Sequence, residues 1–383
     1  MKITILGPAH PYRGGIAALN ERLAKQLLNE GHQVNIVSFT VQYPRILFPG
    51  KTQFSEQKTE FEFDITRKVN SLNPLNWVKV GRTIKKSRPD ILIVRFWIPF
   101  IGMSLGTICR IVKQNKTTKI IAIADNIIPH EKRPGDKFLC NYFIHSVDAF
   151  ITMSASVLND LGKFKFNKPQ ILTPHPVYDH YGNIESREIA LSKINLSKED
   201  RYILFFGFIR DYKGLDLLLE AFANPYFKPN RIKLIVAGEF YSDEEKYLQL
   251  IKKLGLEDDV ILRTDYISNT EVPHYFNAAD IVAQPYKSAT QSGVTQIGYH
   301  FNKPMLVTNV GGLPEIIPHM KTGYVVPPEA EKISEALIDF FENNRIEEFK
   351  TNMAKEKERF SWDKMSEAII KLSEQIIKRN QKN

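Results

Sequence analysis

The sequence predicts an α/β protein built from two doubly wound domains in tandem, each a parallel sheet wrapped by helices. Three observations predict it. Short β-branched runs alternate with helical patterns along all 383 residues. The runs are apolar almost throughout, as strands covered on both faces must be. The scheme stops at a polar stretch, "YGNIESREIALSKINLSKED" (181–200), and then starts again.

In the first half the expected strands are "KITILG" (2–7), "QVNIVSF" (33–39), "DILIVRF" (90–96), "KIIAIAD" (119–125), "AFITMS" (149–154) and "QILTPH" (170–175). Between the first two, Ile16, Leu19, Leu23 and Leu27 recur at helical spacing and Gly31 supplies a stop. The second half repeats the pattern with "YILFFGF" (202–208), "IKLIVAGE" (232–239), "VILRTDYI" (260–267), "DIVAQPY" (280–286), "MLVTNV" (305–310) and "GYVVPP" (323–328). The chain closes on an amphipathic helix, "SWDKMSEAIIKLSEQIIKRN". The expected division is 1–182 for the first domain, 183–200 for a linker, 201–360 for the second domain and 361–383 for the closing helix. Ligands of such sheets bind beyond the carboxyl ends of the strands, so the two domains are expected to share a cleft there.

Composition narrows the function classes. The chain carries a net charge of +9, unevenly placed. Residues 1–180 hold 25 Lys+Arg and 13 Asp+Glu, net +12, and the remainder holds 27 and 30, net −3. A basic first half suits an anionic membrane surface, a phosphorylated substrate or nucleic acid. No nucleic-acid-binding signature accompanies it, and nucleic acid is not expected as a partner. Cys109 and Cys140 lack metal-ligand spacing and read as buried thiols. "FWIPFIGMSLGTICRIV" (96–112) is too short and too interrupted to span a membrane, and reads as a strand end running into a core helix. No secretory leader opens the chain, so a cytoplasmic protein is expected.

The motifs fall on strand-to-helix turns. In "FFGFIRDYKGLDLLLEAF" (205–222) a strand ends at Gly207 and the turn carries Arg210 and Lys213 into a helix. Two cations beside a helix N-terminus suit a pyrophosphate and can offset charge on a leaving diphosphate. This motif, then "VAGE", "FNAADIVAQPY" and "KPMLVTNVGGLPEII", resembles the retaining family-4 glycosyltransferases of GT-B fold. Gly14-Gly15 after the first strand, "EGHQV" before the second and "FSWDKM" extend the resemblance over almost the whole chain.

The resemblance implies two Rossmann-like domains facing a cleft, with the closing helix crossing back to the first. It implies a nucleotide-sugar donor held by the second domain, an acceptor held by the first, and transfer with retention and without a metal or other cofactor. Lys213 matches the family's pyrophosphate lysine. The paired arginine is expected at Phe208, and Arg210, two residues on, is expected to reach the same phosphate. Gly14, Gly15, Gly207, Gly238, Glu239 and Glu315 fall on donor-binding positions, as do Asp265 and Tyr266 in the segment whose backbone reads the base.

Two departures stand out. The family's Glu-x7-Glu pair falls on Ala289 and Ile297. Thr290, Gln291, Ser292, Gly293 and Gln296 offer neutral donors and acceptors there, and Gln296 is the first candidate to replace the ribose-binding glutamate. The family's histidine in the first domain is replaced by Asp125, which can accept a sugar hydroxyl, stabilise positive charge or act as a base. His130 and Glu131, five and six residues on, are the other candidates.

The expected function is hexosyl transfer from a UDP- or GDP-linked sugar to a saccharide or lipid-linked acceptor in cell-surface glycan synthesis. "NWVKVGRTIKKSR" (76–88) suits peripheral docking at the inner membrane leaflet. The alternative is a non-catalytic sugar-nucleotide-binding or scaffold module, which the retained phosphate motif argues against. A sugar-nucleotide epimerase of the same fold is a third reading.

Overall fold

The computed structural model describes residues 1–43, 54, 61–128, 133–241, 243–289 and 292–382. The chain divides into two compact units, residues 1–175 with 362–383, and residues 176–361.

The first unit runs β1 (Lys2–Leu6), α1 (Gly15–Asn29), β2 (Gln33–Val41), β3 (Asp64–Asn70), α2 (Pro74–Ser87), β4 (Ile91–Phe96), α3 (Gly102–Lys113), β5 (Lys119–Ala124), α4 (Asp136–Ile144), β6 (Ala149–Thr152), α5 (Ala155–Gly162) and β7 (Gln170–Leu172). Its strands pair in parallel in the order β3-β2-β1-β4-β5-β6-β7. Every residue of β4 is buried, as a central parallel strand requires. Each of its apolar side chains contributes about 1.5–3 kcal/mol by leaving water.

The second unit runs α6 (Arg187–Lys193), β8 (Arg201–Phe206), α7 (Leu215–Phe222), β9 (Ile232–Ala237), α8 (Glu244–Lys253), β10 (Val260–Arg263), α9 (Val272–Ala278), β11 (Ile281–Gln284), α10 (Gly293–His300), β12 (Met305–Thr308), α11 (Leu313–Ile316), β13 (Gly323–Val326), α12 (Ala330–Glu342) and α13 (Ile346–Glu356). Its parallel order is β10-β9-β8-β11-β12-β13. Helix α14 (Trp362–Lys382) belongs to the first unit. There it packs on α1: Gln26 donates to Asp363 at 2.6 Å, Ser366 donates to Glu30 at 2.6 Å, and Arg22 lies over the Trp362 ring.

Two elements escape the apolar-run criterion. Strand β3, "DITRKVN", lies at the sheet edge with only Val69 fully enclosed, so its sequence is polar. The stretch expected as a linker contains α6, capped by Ser186 and fixed where Arg187 donates to the Asp200 carbonyl at 2.7 Å and pairs with Asp280 at 3.4 Å. The break between units falls earlier, at His175/Pro176.

Candidate functional site

Each sheet reverses strand order once, at β1/β4 and at β8/β11. Loops leaving neighbouring strands at such a point diverge to opposite faces and open a crevice. The predicted motifs sit at these two crevices.

In the second unit the loops after β8 and β11 are locked together. The Lys287 N–H donates to the Tyr212 carbonyl at 2.7 Å, and the Lys287 ammonium pairs with Asp216 at 2.5 Å. Gly214 has φ +69, and a methyl group there would stand 2.0 Å from the Pro285 carbonyl oxygen, so only glycine permits this approach. Ser292 caps α10, accepting from the Val294 N–H at 3.2 Å and donating to Gln284 at 2.6 Å. Gly293 carries no side chain because the Tyr178 ring lies against it.

Lys213 is the centre of this crevice. Its side chain is 8% exposed, with Nζ 5.7 Å from the centroid of the Tyr286 ring and close to Gly207. Among the described residues no carboxylate pairs with it, and none pairs with Arg210. Burial, and after it repulsion from Arg210, pulls the Lys213 ammonium down to about 8. A buried cation with a second cation for neighbour and no carboxylate paired to it among the described residues carries a burial cost that a nearby anion offsets. Across the β8–β9 edge, Glu239 has one carboxylate oxygen enclosed without a hydrogen-bond donor among the described residues.

The other predicted residues of this unit separate. Asp265 and Tyr266 are exposed just beyond β10, and Glu315 is exposed on α11. Gln296 is fully enclosed on the inner face of α10, with neither amide atom bonded to a described residue. It does not reach a surface that a ligand could touch, which corrects its expected donor contact. The cause is the depth of α10: the six consecutive residues Val294–Tyr299 are all buried, so no face of this stretch is left open for Gln296 to use. Thr290 and Gln291 lie outside the described residues.

In the first unit the loop after β1 is clamped from three sides. Asn20 donates to the Pro8 carbonyl at 2.8 Å, Ser38 accepts from the Ala9 N–H at 3.0 Å, and Glu21 accepts from the His10 N–H at 2.6 Å. Burial pushes the Glu21 carboxyl up to about 7. The loop delivers exposed Gly14 and Gly15 to the start of α1, which has no side-chain cap, so its first N–H groups remain available.

Asp125 follows β5 directly and is not a lone carboxylate. Arg95, buried on β4, donates to it twice, from Nε at 2.6 Å and from Nη2 at 2.5 Å. Burial pushes this carboxyl up, and the Arg95 charge opposes the shift. An oxygen already bonded to a guanidinium is a poor proton acceptor, so the geometry suits a fixed hydrogen-bond acceptor better than a base. His130 and Glu131 lie outside the described residues. Arg95 was legible as an arginine inside an otherwise apolar strand, a signal the motif comparison passed over.

Among the described residues no group of three or more His, Cys, Asp and Glu could hold a metal ion, and no helix is long and apolar enough to cross a membrane.

Comparison with known proteins follows this geometry. The glycosyl transferases group 1 model matches residues 186–360 and the glycosyltransferase family 4 model matches residues 13–179. An uncharacterized glycosyltransferase of Methanocaldococcus jannaschii is 24% identical, with 97% of each chain covered. The N-acetyl-alpha-D-glucosaminyl L-malate synthase of Bacillus anthracis is 23% identical over 85% of this chain and 84% of its own. Among solved structures, sucrose-phosphate synthase of Thermosynechococcus elongatus superposes with a TM-score of 0.74 at 15% identity, covering 99% of this chain and 100% of its own. The Anabaena protein HepE, in complex with UDP, gives 0.71 at 16% identity over the full length of both chains. Two GT-B-type parallel-sheet units and two family models that together take in nearly the whole sequence place this chain in the family-4, group 1 glycosyltransferases.

Proposed function

We propose that the protein transfers a hexose from a nucleotide-sugar donor to a saccharide or lipid-linked acceptor, with retention, without a metal, in cell-surface glycan synthesis. The observation that carries this reading is the pair Lys213 and Arg210, two cations at the β8/β11 switch point that no carboxylate among the described residues pairs with. A diphosphate placed there relieves the burial cost of Lys213 and its repulsion from Arg210. As the bond from the sugar to the diphosphate breaks, the same cations take up the charge left on the departing oxygen. The enclosed oxygen of Glu239 is an acceptor for a donor hydroxyl. In the first unit, the roles proposed are close backbone approach for Gly14 and Gly15 and stabilisation of positive charge at the anomeric carbon for Asp125, which Arg95 fixes.

UDP is the first donor base to test, because HepE structures hold UDP and UDP-glucose, with GDP the second. For a lipid-linked acceptor, α2 supplies an anionic-surface contact: Lys79, Arg82 and Lys86 are exposed along it, with Leu75 82% and Leu72 50% exposed at its start. The test is incubation with UDP-, GDP- and ADP-sugars, with and without saccharide acceptors, following nucleotide release. Release with transfer supports the reading. Binding with no release from any donor favours the non-catalytic module.

A further inference from the structure

We infer that Tyr241 is a positioning residue for the phosphate-binding arginine, a role that rests on the donor reading above. Arg210 sits on a long, flexible side chain in a turn, and among the described residues no carboxylate holds it. What holds it is a ring. The Arg210 guanidinium carbon lies 5.3 Å from the centroid of Tyr241, and Phe208 packs on Tyr241 with centroids 4.5 Å apart at 55°. The three side chains form a stack at the carboxyl edge of β8 and β9.

The backbone explains why they meet. Pairing between β8 and β9 continues past the strand ends: Gly207 N–H donates to Ala237 at 2.9 Å, Ile209 N–H to Glu239 at 2.8 Å, and Tyr241 N–H to Ile209 at 2.9 Å. Ile209 and Phe240 form an isolated parallel bridge. Gly238 has φ +136, and a methyl group there would lie 2.5 Å from the Gly207 carbonyl oxygen, so the two turns run in contact. This register sets Tyr241 beside Arg210. A carboxylate in its place would hold the guanidinium more tightly but would neutralise the charge the diphosphate needs. An aromatic face orients the cation and leaves its N–H donors free. Phe208, 39% exposed, backs the ring.

The experiment is calorimetric titration of the full chain with UDP, GDP, ADP and uridine. Tyr241→Leu should weaken the bound nucleoside diphosphate about fivefold. Tyr241→Phe keeps the ring face and should stay within about twofold of wild type. Uridine, without phosphates, should bind both variants alike. The double variant Tyr241→Leu/Arg210→Ala should bind no more weakly than Arg210→Ala alone, because the ring acts through the guanidinium. Additive losses in the double variant, or an unchanged Tyr241→Leu, overturn the inference while leaving the donor reading intact. A wild-type chain that binds none of the three diphosphates removes both. If Tyr241→Leu melts early, Tyr241→Met is the substitute, carrying the same expected losses and the same refuting results.

Discussion

Raising the pH from 7 to 9 should weaken nucleoside-diphosphate binding about tenfold, through Lys213 alone. In the free protein its ammonium loses protons near pH 8, since burial withdraws water and Arg210 repels the charge. A bound diphosphate supplies the missing opposite charge, and the bound-state value returns toward the ordinary ~10.4. Only the protonated lysine holds the anion well. About ten-elevenths of the free protein is protonated at pH 7 and about one-eleventh at pH 9, a change near 1.4 kcal/mol. The ligand's own phosphate titrates near pH 6, below this window. Calorimetry at pH 8 in two buffers of different ionisation enthalpy measures the linked proton directly. Wild type should take up about half a proton per nucleotide. Lys213→Arg, charged throughout, should take up none and show a flat affinity between pH 7 and 9. Uptake that persists in Lys213→Arg, or none in a wild type that binds, refutes the argument.

Three further outcomes follow from the same groups. Lys213→Met should abolish donor binding yet stabilise the fold by about 3 kcal/mol at pH 7, because a lysine whose folded value is depressed costs stability wherever the unfolded chain stays protonated; thermal melts at pH 7 and 10 should converge as that cost disappears. Glu21 runs with the opposite sign: its folded value is raised, so its contribution is fully present below the ordinary carboxyl range and lost as pH rises through about 7, and Glu21→Gln should gain about 3 kcal/mol at pH 8 and little at pH 4. Asp125→Ala should lower turnover more than donor affinity, whereas Arg95→Ala leaves a buried carboxylate unpaired and should cost about 3–5 kcal/mol of stability; kcat and KM beside a denaturant titration separate the two.

The strands that could be read from sequence were mostly those buried on both faces. Continuous apolar runs such as "ILIV" in β4 have no alternative but a covered parallel strand, whereas the edge strand β7 was read from "QILTPH" although it is largely exposed. Strand β3 is the exception because an edge strand with a wet face needs no apolar run, and its pairing is set by β2 rather than by its own composition. Helix α6 was hidden for a related reason: a short polar helix takes its stability from a cap and from Arg187, whose partner Asp280 lies 93 residues away.

The site divides in the same way. Lys213 was legible because a turn between a strand and a helix restricts where its side chain can go, and a lysine there meets the helix N-terminus whatever the rest of the fold does. Gln296 was placed at a ligand surface because motif alignment counts positions and cannot see depth, while α10 is enclosed over all of Val294–Tyr299. Arg95 and Tyr241 could not be assigned from motifs at all. Each matters through a residue far away in sequence, Arg95 through Asp125 and Tyr241 through Arg210. Both are brought in by parallel pairing, β4 to β5 and β8 to β9. The residues that contact ligand can follow a family pattern, but the residues that orient them are chosen by sheet register. That is why the variants worth making first are the orienting ones. Arg95 and Tyr241 test whether the residues they hold, Asp125 and Arg210, are built for transfer.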